Sequence, residues 1–404
     1  MKKPGSRFCA VIAAGVLIIA VTLPAGADYN KGVEAYRARD YSTAVKEFQA
    51  VVQQSPDHAG SHYMLGLSLR GAKQTSKALA SLRKATELDP ANASFAIALG
   101  QTLVKAKQYN DAYLTLKKVR YGNLDARTKA TYAPAFGMAA IKAGFPGEAI
   151  PVLEAQGKAS PRDANLFYTL GYAYSTEGES AKAFTAFKKA FELNPKDNKN
   201  ATSAVKAAIS AGRRTSSATQ KRAFYTQGAA IAEILAESTP TFDNLLLAGE
   251  TWLGGKQYSK ALGWFDKAVA KQSQNALVRF YRAQCHTSLN QYDAATKELQ
   301  SALKIGVSGK LRTQVYNQMG FVYDKTKQYD KAISAYRNSG NTAMVTKVEK
   351  KKETAAENAA AEAALRDYER KLRALEAQIN ELEAIGEMEE AAELRRHLEG
   401  LRNQ

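Results

Sequence analysis

Cysteine is almost missing from this chain: two in 404 residues, Cys9 and Cys285. Cys9 lies at the apolar N-terminus, so Cys285 is the only thiol beyond it and no disulfide can form within the remainder. It sits beside Ala283 on a helical pattern, which places it in the packing rather than at a reactive surface. Histidine is nearly as scarce: His58, His62, His286 and His397. His58 and His62 have a spacing that could hold a metal on a helix, but they follow a turn at Ser55-Pro56-Asp57 and no third ligand completes the set. No metal and no cofactor is expected. There is no glycine-rich phosphate loop, no nucleophile elbow and no pair of carboxylates suited to a pocket, so no catalytic residue is assigned and no enzyme is expected. Beyond residue 27 no apolar run approaches the ~20 residues that a membrane span needs.

What is present begins with a leader. Lys2, Lys3 and Arg7 form a basic start, Phe8 to Leu23 is apolar, Pro24 breaks the run, and Ala25-Gly26-Ala27 offers small residues for cleavage. Residues 1–27 read as a signal peptide, giving an exported mature chain, periplasmic or secreted, from near Asp28. An uncleaved N-terminal anchor is the second reading. Cys9 precedes the apolar core, which rules it out as a lipoprotein cysteine. The net charge is +18. The leader adds three positive charges, and the region after Gly340 has eleven basic and fourteen acidic residues, so the stretch between is itself near +18. Such a field attracts anionic partners, or serves solubility through lysine-rich outer faces. Export argues against nucleic acid.

Small residues then recur with a fixed period. Gly32, Gly66 and Gly100 are thirty-four apart, as are Ala44, Ala78 and Ala112. After a slip of three the register resumes at Gly137 and Gly171, with Ala149 and Ala183. It returns at Gly249 with Ala261, Ala283 with Ala295, and Gly320 with Ala332. In every case twelve residues separate the two small positions. Within the second unit, Tyr63, Leu65, Leu67 and Leu69 form one apolar stretch; Ala78, Leu79, Leu82, Ala85 and Leu88 form a second at helical spacing. Each unit therefore reads as two helices and a turn. A glycine inside a helix costs about 1 kcal/mol against alanine, and close approach of the partner helix near the alanine is what would offset it. Prolines such as Pro56, Pro90, Pro161 and Pro195 end the second helix.

Taken together, the small residue, the turn aromatic (Tyr41, Tyr109, Tyr258, Tyr292, Tyr329), the alanine, a large apolar residue (Phe48, Leu116, Phe187, Phe265, Leu299, Tyr336) and the proline resemble the tetratricopeptide repeat. The resemblance covers eight units, from about Asp28 to Gly340. It implies an all-α right-handed superhelical solenoid of stacked helix pairs, with repeats one to five over 28–197 and six to eight over 242–340. Between them, 198–241 is alanine-rich but off register: a degenerate helix pair, or a hinge that exposes Arg213, Arg214, Lys221 and Arg222. In such solenoids the first helix of each unit lines the concave side. Offsets from the packing glycine place Tyr29, Tyr63, Leu67, Gln101, Tyr168, Tyr172, Phe280, Gln284 and Phe321 there, a tyrosine-rich lining suited to an extended peptide or a sugar ring. The second reading is that several of these tyrosines pack between repeats. Some family members clamp a chaperone's terminal carboxylate with Lys and Asn; this chain has Tyr29, Val33, Tyr63 and Leu67 where that clamp would need polar groups, so that partner is not carried over.

Residues 341–404 shift to Ala, Glu, Lys and Arg. Leu365, Tyr368, Leu372, Leu375, Ile379 and Leu382 alternate by three and four, a coiled-coil seam that Gly386 interrupts; Met388, Ala391, Leu394, Leu398 and Leu401 continue it. Either one long helix self-associates, or two helices turn at Gly386. The stretch Met388 to Arg395 resembles the second helix of a short helical-hairpin motif in bacterial excision-repair subunits, which implies the hairpin shape only. Val348 to Ala364 reads as a solvated helical linker. The expectation is a non-catalytic exported scaffold that binds protein partners, in envelope assembly, secretion or export machinery. The alternative is an anionic polysaccharide held by a basic, tyrosine-lined groove.

Overall fold

The computed structural model describes residues 28–403, so the leader and its processing lie outside the described residues. Among the described residues every regular element is helical, and none is a strand. The chain divides into two compact units, 1–257 and 258–404.

In the first unit the helices run α1 (Tyr29–Arg37), α2 (Tyr41–Gln54), α3 (Ala59–Gly71), α4 (Thr75–Leu88), α5 (Ala93–Lys105), α6 (Tyr109–Lys117), α7 (Ala126–Ala143), α8 (Pro146–Ala159), α9 (Ala164–Thr176), α10 (Ser180–Leu193), α11 (Asn198–Arg214), α12 (Ala218–Ser238) and α13 (Phe242–Gly254). A short 3-10 turn at Tyr121–Asn123 accounts for the slip in register between α6 and α7. Most first helices open on a side-chain cap: the carboxylates of Asp28, Asp125, Asp163 and Asp197 accept from backbone N–H groups of the first turn. Successive first helices α1, α3, α5, α7 and α9 touch one another, and no pair of second helices comes as close. The first helices therefore line the inner side of this stack.

The turn within most pairs carries one left-handed residue. Gly144 and Gly178 fill it in two repeats, but Arg39, Lys73, Lys107 and Lys256 hold φ near +61° in others. The backbone N–H just after it returns to the first helix, as from Asp40 to the Ala35 carbonyl at 2.9 Å, which satisfies the helix end.

The packing glycines have a different neighbour from the one expected. A Cβ on Gly66 would lie 2.6 Å from Leu82 Cγ, on Gly137 2.8 Å from Leu153, and on Gly171 2.7 Å from Phe187. Gly32 faces Phe48 and Gly100 faces Leu116 in the same way. The glycine makes room for the large side chain sixteen residues on. Near Gly66 the alanine contributes its backbone, with the Ala78 carbonyl at 3.3 Å. Ala44, Ala78, Ala112, Ala149, Ala183 and Ala261 are fully or almost fully buried, and Gly249 is buried too.

The off-register segment 198–241 is a helix pair, α11 and α12, packed on α10 before it and α13 after it. Its loop is only Thr215–Ser217. Tyr225 is buried against Gly212 and Gly254, and the half-buried Tyr41 meets Gly71 in the same way. Aligned on that contact, Gly228 stands at the alanine position and Ala232 at the large apolar one, which hides the repeat from a pattern read on those two residues.

The second unit holds α14 (Tyr258–Lys271), α15 (Ala276–Ser288), α16 (Tyr292–Ile305), α17 (Gly309–Lys325), α18 (Tyr329–Ser339), α19 (Thr342–Ile385) and α20 (Met388–Arg402). Its core gathers Phe280, Ala283, Ala295, Leu299, Val315, Val322, Ala332 and Tyr336, and Gly320 faces Tyr336 at 2.7 Å. Cys285 is buried there, and burial, with Asp266 adding, pushes its thiol up to about 12. Arg279 and Arg282 both grip Glu298, at 3.2 Å and 2.7 Å.

The repeat core does not stop at residue 341. Val348 of α19 is buried in it, with Met344 and Val345 packed alongside. Lys351 and Lys352 pair with Asp324 and Asp330, and Arg337 pairs with Glu349 at 2.7 Å. The first turns of α19 thus cover the last repeat, where a solvated linker was expected. The single-helix reading of the tail also gives way. Gly386 adopts φ +89° and α20 folds back along α19. Ile379, Ala391 and Leu398 are buried between them, Arg395 bonds Glu383 at 2.6 Å, and Tyr368 donates to the Leu401 carbonyl.

Candidate partner-binding surface

The residues assigned to a groove fall into three groups. Leu67 is buried in the core, 5 % exposed, and offers nothing to a ligand. Its place in α3 turns it toward the neighbouring helix, because the offset rule ignores how far each first helix is rotated against the next. Tyr29 packs within its own repeat and against His58 at the start of the next, and Tyr63 packs between repeats. Tyr29 meets Phe48 edge-on at 5.4 Å and burial pushes its phenol up to about 12; Tyr63 lies 4.7 Å from Phe95.

The middle of the first unit is different. On α9, Tyr172 accepts a hydrogen bond from Lys142 Nζ of α7 at 2.6 Å, and that ammonium lies 4.7 Å from the ring centroid. This bond, helped by Tyr172, Tyr109 and Tyr168 nearby, holds Lys142 above the usual lysine range. One turn away, Lys199 of α11 stands 4.0 Å over the Tyr168 ring, whose other neighbour is Phe187 at 5.3 Å. Toward the N-terminus, Gln101 accepts from Arg70 Nη1 and donates to the Thr131 carbonyl, both at 3.2 Å. The inner face thus carries exposed ammonium groups seated on tyrosines, beside an amide and a guanidinium. It can present cations and flat aromatic area together, which suits carboxylates on an extended chain.

In the second unit, Phe280, Gln284 and Phe321 do come together. They line a cavity of about 440 Å³ with Asn317, Gln318 and Asn341. Phe280 forms its buried floor, and Phe321, 39 % exposed, stands at the surface with Lys325 5.5 Å over its ring.

Two features were not read from the sequence. A cavity of about 830 Å³ lies between α4, α5 and α6, bordered by Arg83, Lys118, Arg120, Leu99 and Leu124. The three-residue slip that makes the 3-10 turn was its only sequence signal. The second is the use of His58, whose Nδ1 faces the Ser61 backbone N–H at 3.1 Å and caps α3. His62 donates from Nε2 to the Pro56 carbonyl at 2.7 Å. Both rings thus serve local structure. Among the described residues no three metal-ligating side chains converge, and no helix is long and apolar enough to cross a membrane.

Parts of the chain are similar to known proteins. The chain is 40% identical over 68 residues to cellulose synthase operon protein C of Escherichia coli (strain K12), 17% of this chain but only 6% of that protein. It is 29% identical over 107 residues to small glutamine-rich tetratricopeptide repeat-containing protein 2 of Saccharomyces cerevisiae, covering 26% of this chain and 30% of that one. Among solved structures, the C-terminal part of a TPR repeat-containing protein from Cytophaga hutchinsonii covers 62% of this chain and 98% of its own, with 17% identity and a TM-score of 0.47. MamA from Desulfovibrio magneticus covers 44% and 94%, with 17% identity and a TM-score of 0.36. Three tetratricopeptide repeat family models match the chain, at 29–93, at 69–133, and at 164–197 with 313–339. Along those stretches the helix pairs of this protein are tetratricopeptide repeats.

Proposed function

We propose that this protein is an exported, non-catalytic scaffold whose repeats bind protein partners along the inner face of the first helices, within envelope assembly, secretion or export machinery. Tetratricopeptide repeat proteins are in general protein-binding scaffolds. The observation that carries the assignment is the Lys142–Tyr172 and Lys199–Tyr168 pairing on α7, α9 and α11. Lys142 and Lys199 are exposed and the two tyrosines are only half-buried, so charge and ring edge are available to a partner. Export rests on the basic, apolar and small-residue order of the leader.

A second reading has a specific observation behind it. Lysines stacked on tyrosines also suit an acidic polysaccharide. The two readings separate by experiment. Crosslinking and purification of the tagged chain from its native envelope recovers a protein partner, and the double substitution Tyr168→Ala with Tyr172→Ala reduces that recovery at least tenfold. If the double variant recovers the partner undiminished, the inner face of α9 is not the binding surface. Retention on an acidic polysaccharide that falls steeply above about 0.15 M salt, where screening acts within about 8 Å, and that is lost in the same variant, moves the assignment to the glycan.

A further inference from the structure

The α19–α20 hairpin is a half-finished core. Three side chains, Ile379, Ala391 and Leu398, are buried between its helices, while Leu372, Leu375, Leu382 and Leu394 are only partly covered. Two helices shield one side of a shared seam and leave the flanks open; closing it takes a second pair of helices. The seam also runs past both ends of the contact. Leu365 is 58 % exposed beyond the stem, and Ile385 and Met388, 69 % and 62 % exposed, stand at the tip. Leu365 and Ile385 each lie ten residues from Leu375, so at 1.5 Å per residue they are about 15 Å on either side of it along α19.

Charge follows the same axis. Between residues 374 and 394, around the tip, there are seven glutamates and no lysine or arginine. The stem, residues 366–373 and 395–402, holds seven lysines and arginines against three acidic residues. Glu376 and Glu383 are engaged by Arg402 and Arg395 within the hairpin. We propose that two copies of this chain associate through their hairpins in antiparallel order, the acidic tip of each against the basic stem of the other, closing a four-helix bundle centred on Leu375. A rotation about that centre sets Ile385 and Met388 of one copy at the end where the other exposes Leu365. It sets Glu389, Glu390 and Glu393 beside Arg370, Lys371 and Arg373. Parallel pairing would instead put the tips, with fourteen glutamates, side by side. This association is independent of what the inner face of the repeats binds.

The full chain with Cys9→Ser is the test material. Light scattering gives twice the mass of one chain, falling toward one as salt rises. The stem reversal Arg370→Glu/Lys371→Glu/Arg373→Glu and the tip reversal Glu389→Lys/Glu390→Lys/Glu393→Lys each give single-chain mass, and mixing the two restores the doubled mass. Orientation is read from disulfides: Leu365→Cys and Ile385→Cys do not crosslink alone under mild oxidation, and crosslink when mixed. A wild-type chain of single mass at high concentration overturns the proposal. So do crosslinks within each single-cysteine variant, which report parallel pairing, and so does a mixture of reversals that stays at single mass while circular dichroism shows both still helical.

Discussion

Gly66 sits where a Cβ would lie 2.6 Å from Leu82 Cγ. Alanine there gains about 1 kcal/mol in helix propensity and forces a well-packed leucine aside, which costs about 1–3 kcal/mol. Gly66→Ala therefore lowers the unfolding free energy by up to about 2 kcal/mol. Gly263, inside α14, provides the control, because a Cβ there meets nothing within 4 Å. Gly263→Ala raises stability by about 0.5–1 kcal/mol. Chemical denaturation of both variants checks the pair, and a Gly66→Ala chain as stable as wild type would show that Leu82 repacks freely. The sequence marked Gly66 as a packing residue through its period alone. It did not show which side chain filled the space, because the period is the same whether the glycine meets Ala78 or Leu82. The groove was less legible for a related reason. Tyr63 and Tyr168 share one repeat position, yet one stacks on Phe95 and the other holds a lysine over its ring. What decides is the neighbouring repeat, where Phe95 stands in one case and Lys199 in the other.

At the scale of an element, α3 starts on an uncommon cap. His58 accepts the Ser61 N–H through Nδ1, so protonation of that nitrogen removes the cap. Burial, and then the charge of His62, lower the His58 pKa from its ordinary 6.5. The folded chain accordingly takes up this proton less readily than the unfolded one. The cap's contribution is present above pH 6.5 and is lost as pH falls from there through the lower folded-state value. His58→Asn retains an acceptor that does not titrate. Its melting temperature then falls less than that of wild type between about pH 7.5 and about pH 5. Equal slopes in the two proteins would assign the acid sensitivity to other groups. Helix boundaries were mostly legible, since caps and prolines punctuate the repeats. Two prolines went unread: Pro134 and Pro151 lie inside α7 and α8, where a proline costs about 3 kcal/mol against alanine. Helix periodicity continues on both sides of each, held by the packing of the pair. The α11–α12 pair was illegible as a repeat because Gly228 replaces the usual alanine and Ala232 stands where a large side chain is usual, although Tyr225 keeps the contact with Gly254.

For the molecule as a whole, each repeat is supported mainly by its neighbours, so the last one needs a cover. The first turns of α19 supply it through Met344, Val345 and Val348. A chain ended after Ala364 keeps that cover, and one ended after Gly340 loses it. The shorter chain should lose about 3 kcal/mol from the second unit, taking about 1.5–3 kcal/mol for each large apolar side chain fully buried. Hydrogen exchange of the α17 and α18 amides reports it: faster in the shorter chain, unchanged in the longer. Equal protection in both would mean that α18 closes the core unaided. The stacked architecture was legible from the period across eight units. The cover was not, because Lys350, Lys351 and Lys352 next to Val348 read as solvated charge. Between this cover and the hairpin, residues 353–364 are nearly all exposed yet belong to one unbroken helix. That stretch is a ruler about 18 Å long that also sets phase, since every residue added turns the hairpin by about 100° and lifts it about 1.5 Å. Length changes in such a spacer are not interchangeable: seven residues return the hairpin to nearly its original bearing, whereas two swing it to the opposite side.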